Sequence, residues 1–200
     1  MKRIASIFLM IFSFFGSQAQ PSLKAIRDNF QFAKKVEIKE CAGKNFRYEM
    51  AVRSENLDTL GGVHFFGAAT DQYDNLINTR FVEIEKRTEQ EWTILTIVGR
   101  LPENTVAVWF FTSVTTAGTY YFDDISLFLE TRPGAWKQLG ITNSSFEDRS
   151  PVLFAGYNIP DQKSRNPRTS LSEKIYKTGK YSLKITYTRE KESGNVLTGE

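Results

Sequence analysis

An adjacent pair of acids, one histidine and one cysteine are the residues that could do bond-breaking chemistry in this chain. His64 is the only histidine and lies in Val63-His64-Phe65-Phe66, among core-type residues. A nucleophilic triad would need it as general base beside an activated nucleophile. No Gly-x-Ser-x-Gly elbow, His-Glu-x-x-His zinc motif or phosphate-cradling glycine loop accompanies it. Cys41, the only cysteine, stands beside Ala42-Gly43 and reads as an incidental thiol. Asp123 and Asp124 are neighbours, so on a strand their side chains leave opposite faces. They cannot both flank one glycosidic bond, as the two carboxylates of a glycoside hydrolase must. The chain is therefore expected to be non-catalytic.

Binding by stacking is the chemistry its residues suit better. A sugar ring offers a C–H face to an aromatic ring, and its hydroxyls need polar partners at the rim. Trp109 and Phe111 are two residues apart on one strand face, between the small residues Ala107 and Ser113. Tyr73 lies among hydrogen-bonding residues, Asp71, Gln72, Asp74 and Asn75. Trp109, Phe111, Tyr73, Asp71 and Asn75 are the candidate glycan contacts. The competing reading is that Trp109 and Phe111 fill the second face of a buried strand.

The composition limits the partners. There are 26 Lys+Arg against 23 Asp+Glu in the whole chain, a net charge of +3. Residues Met1–Ala19 read as a secretory signal, with Lys2 and Arg3, an apolar run from Ile4 to Phe15, and small residues at Ser17 and Ala19. The apolar run is shorter than the roughly 20 residues a spanning helix needs. Export to the periplasm, cell surface or medium is expected, with no transmembrane segment in the mature chain. Loss of Lys2 and Arg3 leaves the mature part nearly neutral with interspersed signs, which argues against a nucleic-acid partner. A single cysteine rules out a disulfide-built scaffold, so a packed core must hold the fold. The whole chain has sixteen Phe, eight Tyr and three Trp, and those beyond the signal segment supply it.

The elements that would position these residues have a period of two. Phe46, Tyr48, Met50 and Val52 alternate with polar residues, as do Tyr181, Leu183, Ile185 and Tyr187. Residues 92–98 are apolar on both faces and should lie centrally in a sheet. Residues 105–114 form the strongest strand, with Val106, Val108, Phe110 and Val114 on one face and Ala107, Trp109, Phe111 and Ser113 on the other. Residues 68–79 read as a loop. Many short strands with regular turn signals predict an all-β sandwich or barrel. The expected organisation is a signal peptide over 1–19, a β-sandwich over 30–131, a linker over 132–142, and residues 143–200 as a further unit.

The segment Thr119-Tyr120-Tyr121-Phe122-Asp123-Asp124-Ile125-Ser126-Leu127 resembles the last strand of jelly-roll carbohydrate-binding modules, galactose-binding-like β-sandwiches found as ancillary modules in secreted bacterial enzymes. Glu91-Trp92-Thr93 and Gly99-Arg100-Leu101-Pro102 are similar to the stretch preceding it. Asn143-Ser144-Ser145-Phe146-Glu147-Asp148 resembles the opening strand of the same modules, and Thr178-Gly179-Lys180-Tyr181-Ser182-Leu183-Lys184-Ile185 a following strand. The resemblance implies a jelly-roll β-sandwich whose opening comes after its closing. Residues 143–200 would be a partial second module, or would fold back to complete the first sandwich as a permuted jelly roll. It also implies a structural calcium shared by Glu147 and Asp124, with Asp123 as a spare ligand. The function it implies is non-catalytic glycan or polysaccharide binding. The alternatives are a structural or protein-interaction sandwich of a bacterial surface or periplasmic assembly, and an N-terminal ancillary part of a secreted peptidase or esterase.

Overall fold

The computed structural model describes residues 30–38, 41–148, 154, 156–159 and 168–188. The expected signal segment lies outside them. The chain is all-β. Its strands are β1 (Phe30–Glu37), β2 (Asn45–Ser54), β3 (Val63–Thr70), β4 (Leu76–Glu89), β5 (Trp92–Arg100), β6 (Ala107–Val114), β7 (Gly118–Arg132), β8 (Ala135–Leu139), β9 (Tyr157–Asn158), β10 (Arg168–Ser172) and β11 (Ser182–Tyr187). A 3-10 turn, Leu57–Gly62, leads into β3. Among the described residues no helix is long and apolar enough to cross a membrane.

All pairings are antiparallel and join the strands into one sheet, in the order β10-β11-β7-β2-β5-β4-β3-β6-β1-β9, with β8 on the free side of β7. The sheet curls strongly into a half-barrel. It is all-β as expected, but not clearly the two stacked sheets of a sandwich. The physical reason is β4, whose 14 residues serve both halves: Leu76–Val82 pairs with β3 and Glu83–Glu89 with β5. Register shifts in both pairings let that strand bend, as bulges do. The two halves are thus hydrogen-bonded to each other at the bend. Gly99 lies at this curl, where a Cβ would come within 2.8 Å of the Phe81 ring. Only the missing side chain allows that approach.

The alternation read in the sequence fills the concave side. Phe46, Tyr48, Met50 and Val52 from β2 meet Val108, Phe110 and Val114 from β6 in one core. Tyr48 stacks flat on Phe110 across the curl, with ring centroids 3.5 Å apart, and Phe46 meets Phe81 edge-on at 4.8 Å. β5 is central, between β2 and β4, as its two apolar faces required. Val106 departs from its expected core face: it precedes the strand and is exposed.

Three local expectations change. The loop read over residues 68–79 shrinks to 71–75, because β3 runs on to Thr70 and β4 starts at Leu76. Residues 135–139 of the expected linker form β8, a hairpin on β7 turned by Gly134 at φ 76°. Asn143–Asp148, expected to open a sandwich as a strand, is a series of turns with positive φ at Asn143 and Phe146. Those turns drive Phe146 into the core, where it stacks on Tyr157 at 4.8 Å. Lys34 ties the same turns to β1: its buried ammonium donates to the Thr142 carbonyl at 2.5 Å and sits 4.1 Å over the Tyr157 ring. Burial lowers its pKa to about 8.

Residues after 148 join the sheet formed by the earlier strands. β11 pairs with β7 through Leu183↔Phe122 and Ile185↔Tyr120, and Leu183, Ile185 and Tyr187 enter the common core. β9 extends the opposite end, against β1.

Candidate functional site

The face of β6 that turns away from the core carries the aromatic candidates. The register sets Trp109 between Lys35 of β1 and Ala68 of β3, and Phe111 between Ala33 and Phe66. Small residues beside large ones leave room for the rings to lie in a row. Phe66 and Phe111 stack at 5.0 Å with 14° between their planes. Trp109 and Phe111 stack at 6.1 Å with 17° between theirs. Trp109, Phe66 and Leu76 are half-buried, whereas Phe111 in the middle is only 2% exposed. Three near-parallel rings on an outer sheet face form a platform, with its openings at the two flanking rings.

The β3–β4 hairpin stands at the Trp109 end. Asp71 builds it: Oδ1 accepts the backbone N–H groups of Tyr73 and Asn75, both at 2.9 Å, and Oδ2 accepts the Asn75 amide at 3.1 Å. These bonds hold the Asp71 carboxyl below its ordinary range, although partial desolvation opposes them. Asp71 and Asn75, expected as rim contacts, are thus committed first to shaping the loop. Tyr73 is lifted to the tip, 72% exposed. Lys35 and Asp74 connect the loop to the platform: Lys35 Nζ lies 2.9 Å from Asp74 Oδ1 and 5.7 Å from the Trp109 ring centroid. The site therefore contains Phe66, Lys35 and Asp74, which the sequence reading did not select. Phe66 stood in a recognised strand, but only the β3–β6 pairing places it beside Phe111.

The acid cluster is a separate place. β7 loses register with β2 at Asp123-Asp124-Ile125, and Asp124 takes a left-handed φ of 48°. At this bulge the free side of β7 changes partner, from β11 to β8. Asp123 is fully buried and accepts three backbone N–H groups: Lys177 at 2.7 Å, Thr178 at 3.2 Å and Asp124 at 2.8 Å. Burial pushes its carboxyl up to about 6 against the pull of those donors, and the Asp124 charge adds to the rise. Asp124 takes the Thr178 hydroxyl and the Lys177 ammonium, the latter at 3.3 Å. Lys177 Nζ also meets Glu89 at 3.2 Å. Glu147 Oε1 accepts the N–H groups of Lys180 at 2.8 Å and Tyr181 at 2.9 Å. Gly179 makes that grip possible, since a Cβ there would fall 2.3 Å from Glu147 Oε1.

The three expected calcium ligands do come to one turn, residues 177–181, but their donor set does not fit the ion. Calcium wants six to eight oxygens free to face it. Here backbone N–H groups, the Thr178 hydroxyl and the Lys177 ammonium engage both oxygens of Asp123 and of Asp124 and Oε1 of Glu147, and Lys177 supplies positive charge. Among the described residues no group of three or more His, Cys, Asp or Glu is placed to hold a metal. The melting temperature should therefore be the same with millimolar calcium and with chelator. A rise with calcium, measured by scanning fluorimetry, would contradict this.

No known protein family, curated protein or solved structure matches the chain. The sites must be read from their own geometry. His64 contacts Thr115 Oγ1 at 3.4 Å. Cys41 is buried in the core.

Proposed function

We propose that this protein is an exported, non-catalytic carbohydrate-binding-type module that holds glycan on the outer face of β6. The observation that carries the reading is the row Trp109–Phe111–Phe66: near-parallel rings on the side of the sheet opposite its core. Such a row offers π surface to sugar C–H faces, and the loop with Tyr73, Asp74 and Lys35 offers hydrogen bonds at one end. The jelly-roll assignment belongs to this proposal, as does export through residues 1–19. The binding mechanism is stacking at the two half-buried rings and at Tyr73, with polar contacts at the rim.

A structural or protein-interaction role for the same face is the second reading, and the burial of Phe111 favours it, because a covered ring packs rather than binds. Affinity electrophoresis in polysaccharide gels separates the two. Trp109→Ala and Tyr73→Ala should each lose retardation by about threefold or more, since stacking pairs contribute about 0.5–1.5 kcal/mol. Tyr73→Ala should leave stability within about 0.5 kcal/mol, as exposed substitutions do. Migration unaffected by any polysaccharide would support the second reading.

A further inference from the structure

A second aromatic group lies on the outer face of the other half of the sheet. β5, β2, β7 and β8 run side by side there, and the register aligns Val98, Arg47, Phe128 and Gln138 in one row. Trp136 stands in the next row, opposite Glu130. The Arg47 guanidinium is centred 4.6 Å from the Phe128 ring and 5.2 Å from the Trp136 ring. Two aromatic faces hold a planar cation in one orientation, so its N–H fork is set in advance.

That fork is mostly unspent. Nε lies 3.2 Å from Glu49 Oε1. Glu49 is itself claimed by Arg87, whose two terminal nitrogens reach its two oxygens at 3.0 and 3.3 Å. The other nearby acid, Glu130, is bonded to the Asn45 amide at 2.6 Å and the Gly134 N–H at 2.7 Å. The terminal guanidinium nitrogens of Arg47 have no hydrogen-bonding acceptor among the described residues. Trp136 remains 37% exposed beside them.

We infer that Arg47 and Trp136 form a second binding site, for an acidic sugar of the uronic-acid class. The carboxylate of the sugar takes the terminal N–H fork of Arg47, and its ring packs on the exposed indole of Trp136. A guanidinium matches a carboxylate through two parallel bonds, which neutral sugars cannot reproduce. The Gln138 amide, held against Ser126 Oγ at 3.2 Å, stands in the Arg47 row within reach of a sugar hydroxyl. The site is separate from the Trp109 platform, so it stands or falls independently of that proposal.

The test is calorimetric titration of the full chain with trigalacturonate and with its methyl ester, which keeps the ring and removes the charge. Binding of the acid should be about tenfold or more tighter than binding of the ester, given the strength of charge-assisted hydrogen bonds. Arg47→Gln should abolish that preference, and Trp136→Ala should weaken both ligands. Trp136 lies on the short outer strand β8, so its variant keeps the test alive if Arg47→Gln fails to fold. Absence of binding, equal affinity for acid and ester, or binding insensitive to Trp136→Ala overturns the inference. Loss of trigalacturonate binding in Trp109→Ala alone overturns it too and assigns the acidic sugar to the first platform.

Discussion

A chain ended after Gly140 should fail to fold. Truncation removes Phe146, Leu183, Ile185 and Tyr187, all buried in the common core. Full burial of such side chains contributes about 1.5–3 kcal/mol each. Four of them amount to about 6–12 kcal/mol, comparable with the whole stability of an ordinary domain. The truncation also strips β11 from β7 and leaves Phe122, Tyr121 and Tyr120 on an open strand edge, which invites aggregation. The measurement is thermal unfolding by circular dichroism with light scattering. The truncated chain should aggregate or show no cooperative transition. A soluble monomer that melts cooperatively would show that residues 30–140 are a domain of their own.

Asp123→Ala should be the most damaging single change outside the aromatic core. The side chain is fully buried, and its removal orphans the N–H groups of Asp124, Lys177 and Thr178. Leaving a buried donor without its acceptor costs about 1–3 kcal/mol. The loss should appear in urea unfolding as a lower midpoint, while Asp124→Ala, whose partners are partly exposed, should cost less. The carboxyl also sets a pH dependence. Its folded pKa, about 6, lies above the ordinary value of 3.8. The folded state then binds the proton more readily than the unfolded state. By linkage, this group's contribution to stability rises as pH falls from about 6 toward 4, and is lost as pH climbs through 6. Asp123→Asn, which cannot titrate, should flatten that slope relative to the parent chain. An identical slope in both proteins would remove Asp123 as its source.

The contrast between β2 and the 143–148 segment shows what a sequence can reveal about this fold. Phe46, Tyr48, Met50 and Val52 each face the same core, so their spacing alone disclosed a strand. β5 was legible as central because Leu95 and Ile97 face one side and Trp92 and Ile94 the other. Phe146 carries no periodicity: one ring enters the core from a left-handed turn, and only the φ of 60° shows how. The Gly67-Ala68-Ala69 stretch of β3 lacks β-branched residues, so propensity hid it, although pairing with β6 makes it a strand. The hairpin β8 was hidden by Arg132-Pro133-Gly134, a turn that looked like a linker.

The sites divide in the same way. The shared face of Trp109 and Phe111 followed from a period of two, and the exposure of Tyr73 from its polar setting. Phe66 and Lys35 come from strands that are neighbours only through long-range pairing, which local sequence does not encode. The acid cluster was gathered only through the resemblance, and its contacts depend on Lys177, 53 positions after Asp124. That ammonium lies 3.3 Å from Asp124 Oδ2, one of the oxygens expected to face calcium.

The most direct test of the glycan reading is a glycan array probed with the full chain and with Trp109→Ala, alongside a fluorimetric melt of each. The parent protein should bind a subset of polysaccharides, and Trp109→Ala should lose that signal while still melting cooperatively. No glycan bound by the parent, or undiminished binding by a folded Trp109→Ala, would contradict the assignment of the β6 face as a sugar platform.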